Sequence, residues 1–150
     1  MLKVVIDTNV FISAFYLPES RPANVVLLAR RKTILNLISP QILKEVERII
    51  KKKLLWDNSK THGAVRWIKN FSEEVYPQER QSIIVDDSDN RVLECAVAGQ
   101  ADLIISGDKH LLNLKNCQGI NVVTPADFLE VIEVGRHPAG GSVSWTETGS

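Results

Sequence analysis

The chain has 150 residues, enough for one domain of ordinary size whose core needs no disulfide or metal staple. Lys plus Arg (18) balance Asp plus Glu (18), so the formal net charge is zero and argues against a simple electrostatic nucleic-acid binder, although local patches outweigh the sum. The two cysteines, Cys95 and Cys117, lack metal-ligand spacing and form no disulfide framework, which fits free thiols in a reducing cytoplasm.

Val4-Val5-Ile6 predicts a buried strand that ends at Asp7. Two small polar residues follow, and Val10, Phe11, Ala14 and Phe15 then recur at helical steps. Pro22 suits a helix first turn, with Val25, Val26, Leu28 and Ala29 inside and Arg30-Arg31-Lys32 at the end. Ile34 to Ile38 is a second strand. Ser39-Pro40 reads as N-cap and N1 of a long helix whose stripe is Ile42, Leu43, Val46, Ile49 and Ile50. Glu45 and Glu47 lie on the two flanks of that stripe, and helix geometry does not choose between them as a ligand. Lys51-Lys52-Lys53 closes the helix.

A polar connection from Trp56 leads to a helix over about Thr61 to Phe71. Val75-Tyr76-Pro77 and Ile83-Ile84-Val85 are short strand-like pieces. An acidic turn, Asp86-Asp87-Ser88-Asp89-Asn90, precedes a helix with Val92, Leu93, Ala96 and Val97 inside and Gly99 as its stop. Asp89, three and four residues before Val92 and Leu93, projects toward the core side of the first turn. Leu103-Ile104-Ile105 then repeats the opening logic, a strand followed by Ser106, Gly107 and Asp108 at a helix start. Ile120 to Val123 is the last strand, and Thr124 caps a last helix with Asp127 at N3. These elements give one domain over 1–134. The Gly- and Ser-rich stretch 135–150 is expected to be a disordered tail. No run approaches the ~20 apolar residues of a membrane span, and no signal-peptide pattern is present, so a cytoplasmic location is expected.

Strands alternating with helices imply an α/β fold with a parallel sheet covered on both faces. Right-handed crossovers place the strand C-termini along one edge. Asp7 and Asp108 reach that edge from two strands, and Asp89 from a helix first turn. Taken singly, each is as readily a cap or turn former. Taken together, such carboxylates raise each other's pKa unless a cation compensates. Mg²⁺ or Mn²⁺ is the natural compensator, because hard ions prefer oxygen ligands and bridge to phosphate. Such a site activates water and stabilises the leaving oxygen of a phosphodiester. His62, His110 and His137 are scattered, and none shows metal-site spacing.

Four stretches, in order and spacing, resemble the PIN-domain ribonucleases: Val5-Ile6-Asp7-Thr8-Asn9-Val10, Ser39 to Val46, Asp86 to Ala96, and Ala101 to Leu112. The chain is most similar to the prokaryotic branch of VapC-type toxins of toxin–antitoxin pairs. The resemblance implies a three-layer α/β/α fold with a mainly parallel central sheet of about four to five strands, and Mg²⁺- or Mn²⁺-dependent endonucleolytic cleavage of RNA. Carried over residue by residue, it implies a carboxylate cluster of Asp7, Glu45, Asp89 and Asp108, both catalytic and metal-holding. Asn9 and Ser106 fall where the family has supporting polar residues, and Asp86 is the alternative to Asp89 in its stretch. Lys109 and Arg91 follow proposed ligands closely and are candidates to hold the phosphate backbone. A small antitoxin protein and a homodimer are the partners the resemblance implies. Two other readings compete: a non-catalytic PIN-like RNA-binding or regulatory domain, and a haloacid-dehalogenase-like phosphatase, whose Asp-x-Asp is met here by Asn9 in place of the second Asp.

Overall fold

The structure, a computed structural model, describes residues 1–84 and 87–136, with 133–136 as backbone alone. Its strands are β1 (Lys3–Ile6), β2 (Leu35–Ile38), β3 (Ser72–Glu74), β4 (Leu103–Ile105), β5 (Asn116–Cys117) and β6 (Ile120–Val123). Its α-helices are α1 (Thr8–Tyr16), α2 (Arg21–Arg30), α3 (Pro40–Ile49), α4 (Asn58–Phe71), α5 (Asp87–Ala98), α6 (Lys109–Leu114) and α7 (Pro125–Arg136). A π-helical turn over Ile50–Leu54 prolongs α3.

The strands form one sheet in the order β3-β2-β1-β4-β6-β5. All pairs are parallel except the short β5–β6 hairpin, whose turn uses Gly119 at φ +86°. The chain starts in the middle with β1, builds β2 and β3 on one side, then crosses to build β4 and β6 on the other. The reversal falls between β1 and β4, where open α/β sheets form a ligand crevice beyond the strand carboxyl ends. Helices cover both faces and make three layers: α2 packs on both α1 and α7, while α5 packs across β1, β2 and β4. Val4, Val5, Ile6, Leu37, Ile38, Ile104 and Ile105 are all fully buried, as strands covered on two faces must be.

β1 and β2 pair in backbone register at Lys3↔Leu35 and Val4↔Asn36. Beyond that point the buried Asn36 side chain takes over. Its Oδ1 accepts from Ile6 N at 3.1 Å, and its Nδ2 donates to Ser72 Oγ on β3 at 2.9 Å.

Several boundaries differ from the sequence expectation for local reasons. The third strand lies at Ser72–Glu74, before Val75-Tyr76-Pro77, and only Val75 N continues its bonding, to Ile38 O at 2.7 Å. Helix α4 starts at Asn58 because Asp57 Oδ1 caps Lys60 N at 2.8 Å. Ile83 and Ile84 form no strand. Their backbone is satisfied by one side chain, Asn90, which accepts from both N–H groups at 3.1 and 2.9 Å and donates to Ile84 O at 2.7 Å. Val85 and Asp86 lie outside the described residues.

Gly99 does follow α5, but the left-handed residue there is Gln100 at φ 54°. Gly99 is needed for close approach instead: a Cβ would meet Leu37 Cδ1 at 2.6 Å and Val75 Cγ2 at 3.1 Å. The expected caps Ser39 and Thr124 do accept from Ile42 N and Asp127 N, at 3.2 and 3.0 Å. Helix α7 runs to Arg136, and residues 137–150 of the expected tail lie outside the described residues. Both cysteines are free and buried. Burial pushes the Cys95 thiol up to about 12, against a smaller opposing effect of its hydrogen bond with Ser39. Among the described residues no helix is long and apolar enough to cross a membrane.

Candidate metal centre

The apolar run of β1 fixes where Asp7 sits. Its N–H extends the β1–β4 ladder by donating to Ile105 O at 3.0 Å, and its carboxylate is 3% exposed. Asp7 occupies the N-cap position of α1, yet its side chain makes no cap hydrogen bond. The bland reading of Asp7 as a helix cap therefore fails. Its Oδ2 instead accepts a 2.7 Å hydrogen bond from Ser106 Oγ.

Ser106 follows β4 and is completely buried. Besides donating to Asp7, its Oγ accepts from Asp108 N at 2.9 Å. One hydroxyl thus couples the ends of the two neighbouring strands. Asp108 does act as a cap: its Oδ1 accepts from His110 N at 2.8 Å and Leu111 N at 3.3 Å. That capping fixes the carboxylate against the crevice, while Oδ2 makes no hydrogen bond among the described residues.

Asp89, the third residue of α5, is 3% exposed, as its position on the inward side of the first turn requires. One ligand atom each from Asp89, Asp108 and His110 lie within 4.8 Å of one another. Asp7 stands outside that trio and is joined to it through Ser106. Two carboxylates and an imidazole form an oxygen-rich donor set that fits a divalent ion such as Mg²⁺ or Mn²⁺.

His110 is the residue that sequence reasoning missed. The three histidines have no mutual metal-site spacing, but His110 lies two residues after Asp108. An aspartate at an N-cap brings the residue two ahead beside its own carboxylate, so the spacing Asp108-Lys109-His110 carried the signal. His110 Nδ1 lies 3.5 Å from Asp108 Oδ1.

Glu45 is not in the trio. It forms a two-pronged ion pair with Arg48 on the next turn of α3, at 2.9 and 3.0 Å. Glu47 faces Lys51 at 3.5 Å and His62 at 3.2 Å. Asn9 is exposed and borders the same groove as Asp108 and His110. Of the two expected phosphate-holding cations, Lys109 is exposed on that groove, whereas Arg91 is turned inward. Its guanidinium pairs with buried Glu94 at 2.8 Å and Asp87 at 3.2 Å, and donates to Gln81 O at 3.2 Å. Arg91 thus braces the segment preceding α5. Asp86, the alternative ligand, lies outside the described residues.

A protein-family model described as the PIN domain matches residues 3–110. An uncharacterized protein of Methanocaldococcus jannaschii is 33% identical over 144 residues, covering 88% of this chain and 92% of that protein. The fold is similar to a chain in the crystal structure of VapBC2 from Rickettsia felis bound to a DNA fragment from their promoter. That match has a TM-score of 0.60 at 14% identity, and covers 82% of this chain and 98% of that one. At such low identity the likeness is one of fold.

Proposed function

The chain belongs to the PIN domain family, and from that premise we propose that it is a divalent-metal-dependent endoribonuclease, the toxin of a toxin–antitoxin pair. The observation that carries this reading is the convergence of Asp89, Asp108 and His110 at the point where the sheet reverses, with Asp7 tied in through Ser106. Asp7, Asp89 and Asp108 would hold Mg²⁺ or Mn²⁺, joined by His110. A bound divalent ion supplies polarisation of the phosphodiester and a water acidified toward neutral pH.

The protein's own groups set up that chemistry. Burial of Asp7 and Asp89 keeps bulk water from screening their charge. Ser106 holds the Asp7 carboxylate in one orientation and fixes the backbone at Asp108. Glu45, turned from Arg48, is the further ligand or the group that orients the attacking water. Asn9 hydrogen-bonds substrate or solvent at the rim, and Lys109 holds the phosphate backbone. A small antitoxin protein would block the groove with a basic side chain that neutralises the acids. The VapBC2 neighbour supports such a partner, and a homodimer remains part of the proposal.

The Glu45–Arg48 pair is the one observation that favours the non-catalytic RNA-binding alternative, because it occupies an acid that the catalytic reading needs. Cleavage of single-stranded RNA with Mn²⁺ or Mg²⁺ decides between them. The expected result is metal-dependent cleavage that Asp7→Asn and Asp89→Asn each lower by at least about 100-fold. Identical traces for wild type and both variants would sink the catalytic reading, and a silent Mn²⁺ titration by calorimetry would favour the alternative.

A further inference from the structure

A groove of about 590 Å³ opens beside the carboxylates, bordered by α1, the start of α2, the β4–α6 connection and the start of α7. Its volume falls within the ~300–1,000 Å³ of sites that hold a nucleotide-sized ligand. Its charged lining is uneven. Asp108 and His110 belong to the metal centre, while Arg21 and Lys109 bring positive charge to the same cavity, among neutral polar groups such as Asn9 and Thr124.

What sets those two cations apart is their place on the groove, since exposed cations elsewhere, such as Lys52, Lys53 and Arg66, likewise make no ion pair among the described residues. Arg48, Lys51, Lys69 and Arg91 are each paired with a carboxylate. Arg21 and Lys109 are exposed and make no ion pair or side-chain hydrogen bond among the described residues. Arg21 starts α2 beside Pro22, so its Cα is held by a proline-stiffened first turn capped by Ser20. An unpaired guanidinium on a rigid helix start, facing a groove that ends in a metal centre, is suited to a two-pronged grip on an anionic oxygen pair.

We infer that Arg21, with Lys109, forms a subsite for one particular phosphate of a single-stranded RNA, a phosphate other than the one held at the Asp89–Asp108 centre. The inference rests on the nuclease reading for its substrate class. It adds a positioning residue: Arg21 fixes which internucleotide bond reaches the carboxylates, because the spacing of groove and metal centre sets the register of the strand. Lys109 contributes charge, and Arg21 contributes charge and geometry.

The test is fluorescence anisotropy with a labelled twelve-nucleotide single-stranded RNA, with Ca²⁺ in place of Mn²⁺ so that binding is read apart from hydrolysis. Arg21→Ala is expected to weaken binding roughly tenfold and to flatten the slope of log affinity against log salt by about 0.7, the value of one lost phosphate contact on a single strand. Arg21→Lys is expected to restore the salt slope while recovering only part of the affinity. A series of RNAs, each with one methylphosphonate linkage, locates the phosphate. One position should weaken wild type as much as Arg21→Ala does, and should leave Arg21→Ala unaffected.

Wild-type affinity and slope in Arg21→Ala, an equal effect at every linkage, or no RNA binding by the wild type would each overturn the subsite. The outcome is separable from the nuclease reading. Intact binding with the expected pattern but no cleavage in Mn²⁺ sinks hydrolysis alone, whereas intact cleavage with an indifferent Arg21→Ala sinks the subsite alone.

Discussion

Ser106 Oγ lies 2.7 Å from Asp7 Oδ2, so a serine after one strand fixes the carboxylate after its neighbour. The same oxygen accepts from Asp108 N at 2.9 Å. Removing it loosens two proposed ligand-bearing positions together. Ser106→Ala is expected to lower cleavage roughly 10–100-fold, the usual cost of losing a group that orients a metal ligand. It should also cost about 2 kcal/mol of stability in urea, because a hydrogen bond to a buried charged group is lost. Ser106→Thr keeps the hydroxyl and should retain most of the activity. If Ser106→Ala cleaves like wild type, the coupling has no catalytic consequence.

His110 gives a metal-selectivity prediction. An imidazole adds little for Mg²⁺, which prefers oxygen ligands, and more for later divalent ions. His110→Ala is expected to weaken Mn²⁺ binding about tenfold and to change Mg²⁺ binding less than about twofold. Calorimetric titration of both ions into wild type and variant reads this directly. Equal losses for the two ions would show that His110 acts through Asp108 and not on the ion.

Gly99→Ala should destabilise the fold. The added methyl would meet Leu37 Cδ1 at 2.6 Å and Val75 Cγ2 at 3.1 Å, so the fully buried Leu37 side chain must shift within the core to admit it. Overpacking of this kind costs about 1–3 kcal/mol, measured as a lower midpoint in urea with unchanged slope. Gln100→Gly relieves a left-handed non-glycine residue and should be neutral to stabilising, which separates crowding from backbone strain.

Cys95 links stability to alkaline pH. Its thiol is raised from 9.0 to about 12 by burial. Above about pH 9 the unfolded chain releases this proton while the folded chain keeps it. The unfolded state then binds fewer protons, so stability falls as pH rises through the window between 9 and about 12. The full contribution is on the order of 4 kcal/mol at the alkaline end. Cys95→Ala lacks this loss, so the stability gap between wild type and variant should narrow from pH 8 to pH 11. A constant gap would show that the thiol titrates in the folded protein as it does in the unfolded chain.

Much of the architecture was legible because it is carried by strong local patterns. The apolar runs ending at Asp7 and preceding Ser106 are central strands covered on both faces, where hydrophobic continuity is obligatory. Ser39-Pro40 and Thr124-Pro125 are unambiguous helix starts. The errors fall where tertiary partners overrode local pattern. β3 is polar because it is an edge strand, so Ser72–Glu74 gave no apolar signal while Val75-Tyr76 did. Ile83-Ile84 reads as a strand, but Asn90 supplies its hydrogen bonds. At the candidate site, Asp7, Asp89 and Asp108 were visible as strand and helix ends. His110 was not, because its place depends on how Asp108 caps α6, and the ion pair of Glu45 with Arg48 cannot be read from spacing that equally suits a solvated helix flank.

The side-chain bridge from Asn36 to Ile6 N has a mechanical meaning. Backbone pairing between β1 and β2 stops at Val4, whereas pairing between β1 and β4 runs on through Ile6 and into Asp7. The tip of β1 is therefore welded to β4 and only tethered to β2. Asp7, Ser106 and Asp108 are held to one another through β4 and the Ser106 hydroxyl, while Glu45 stands on the helix that follows β2. Where the β1–β2 backbone ladder ends, the amide of Asn36 carries the connection from the strand that leads to Asp7 to the strand that leads into α3 and Glu45.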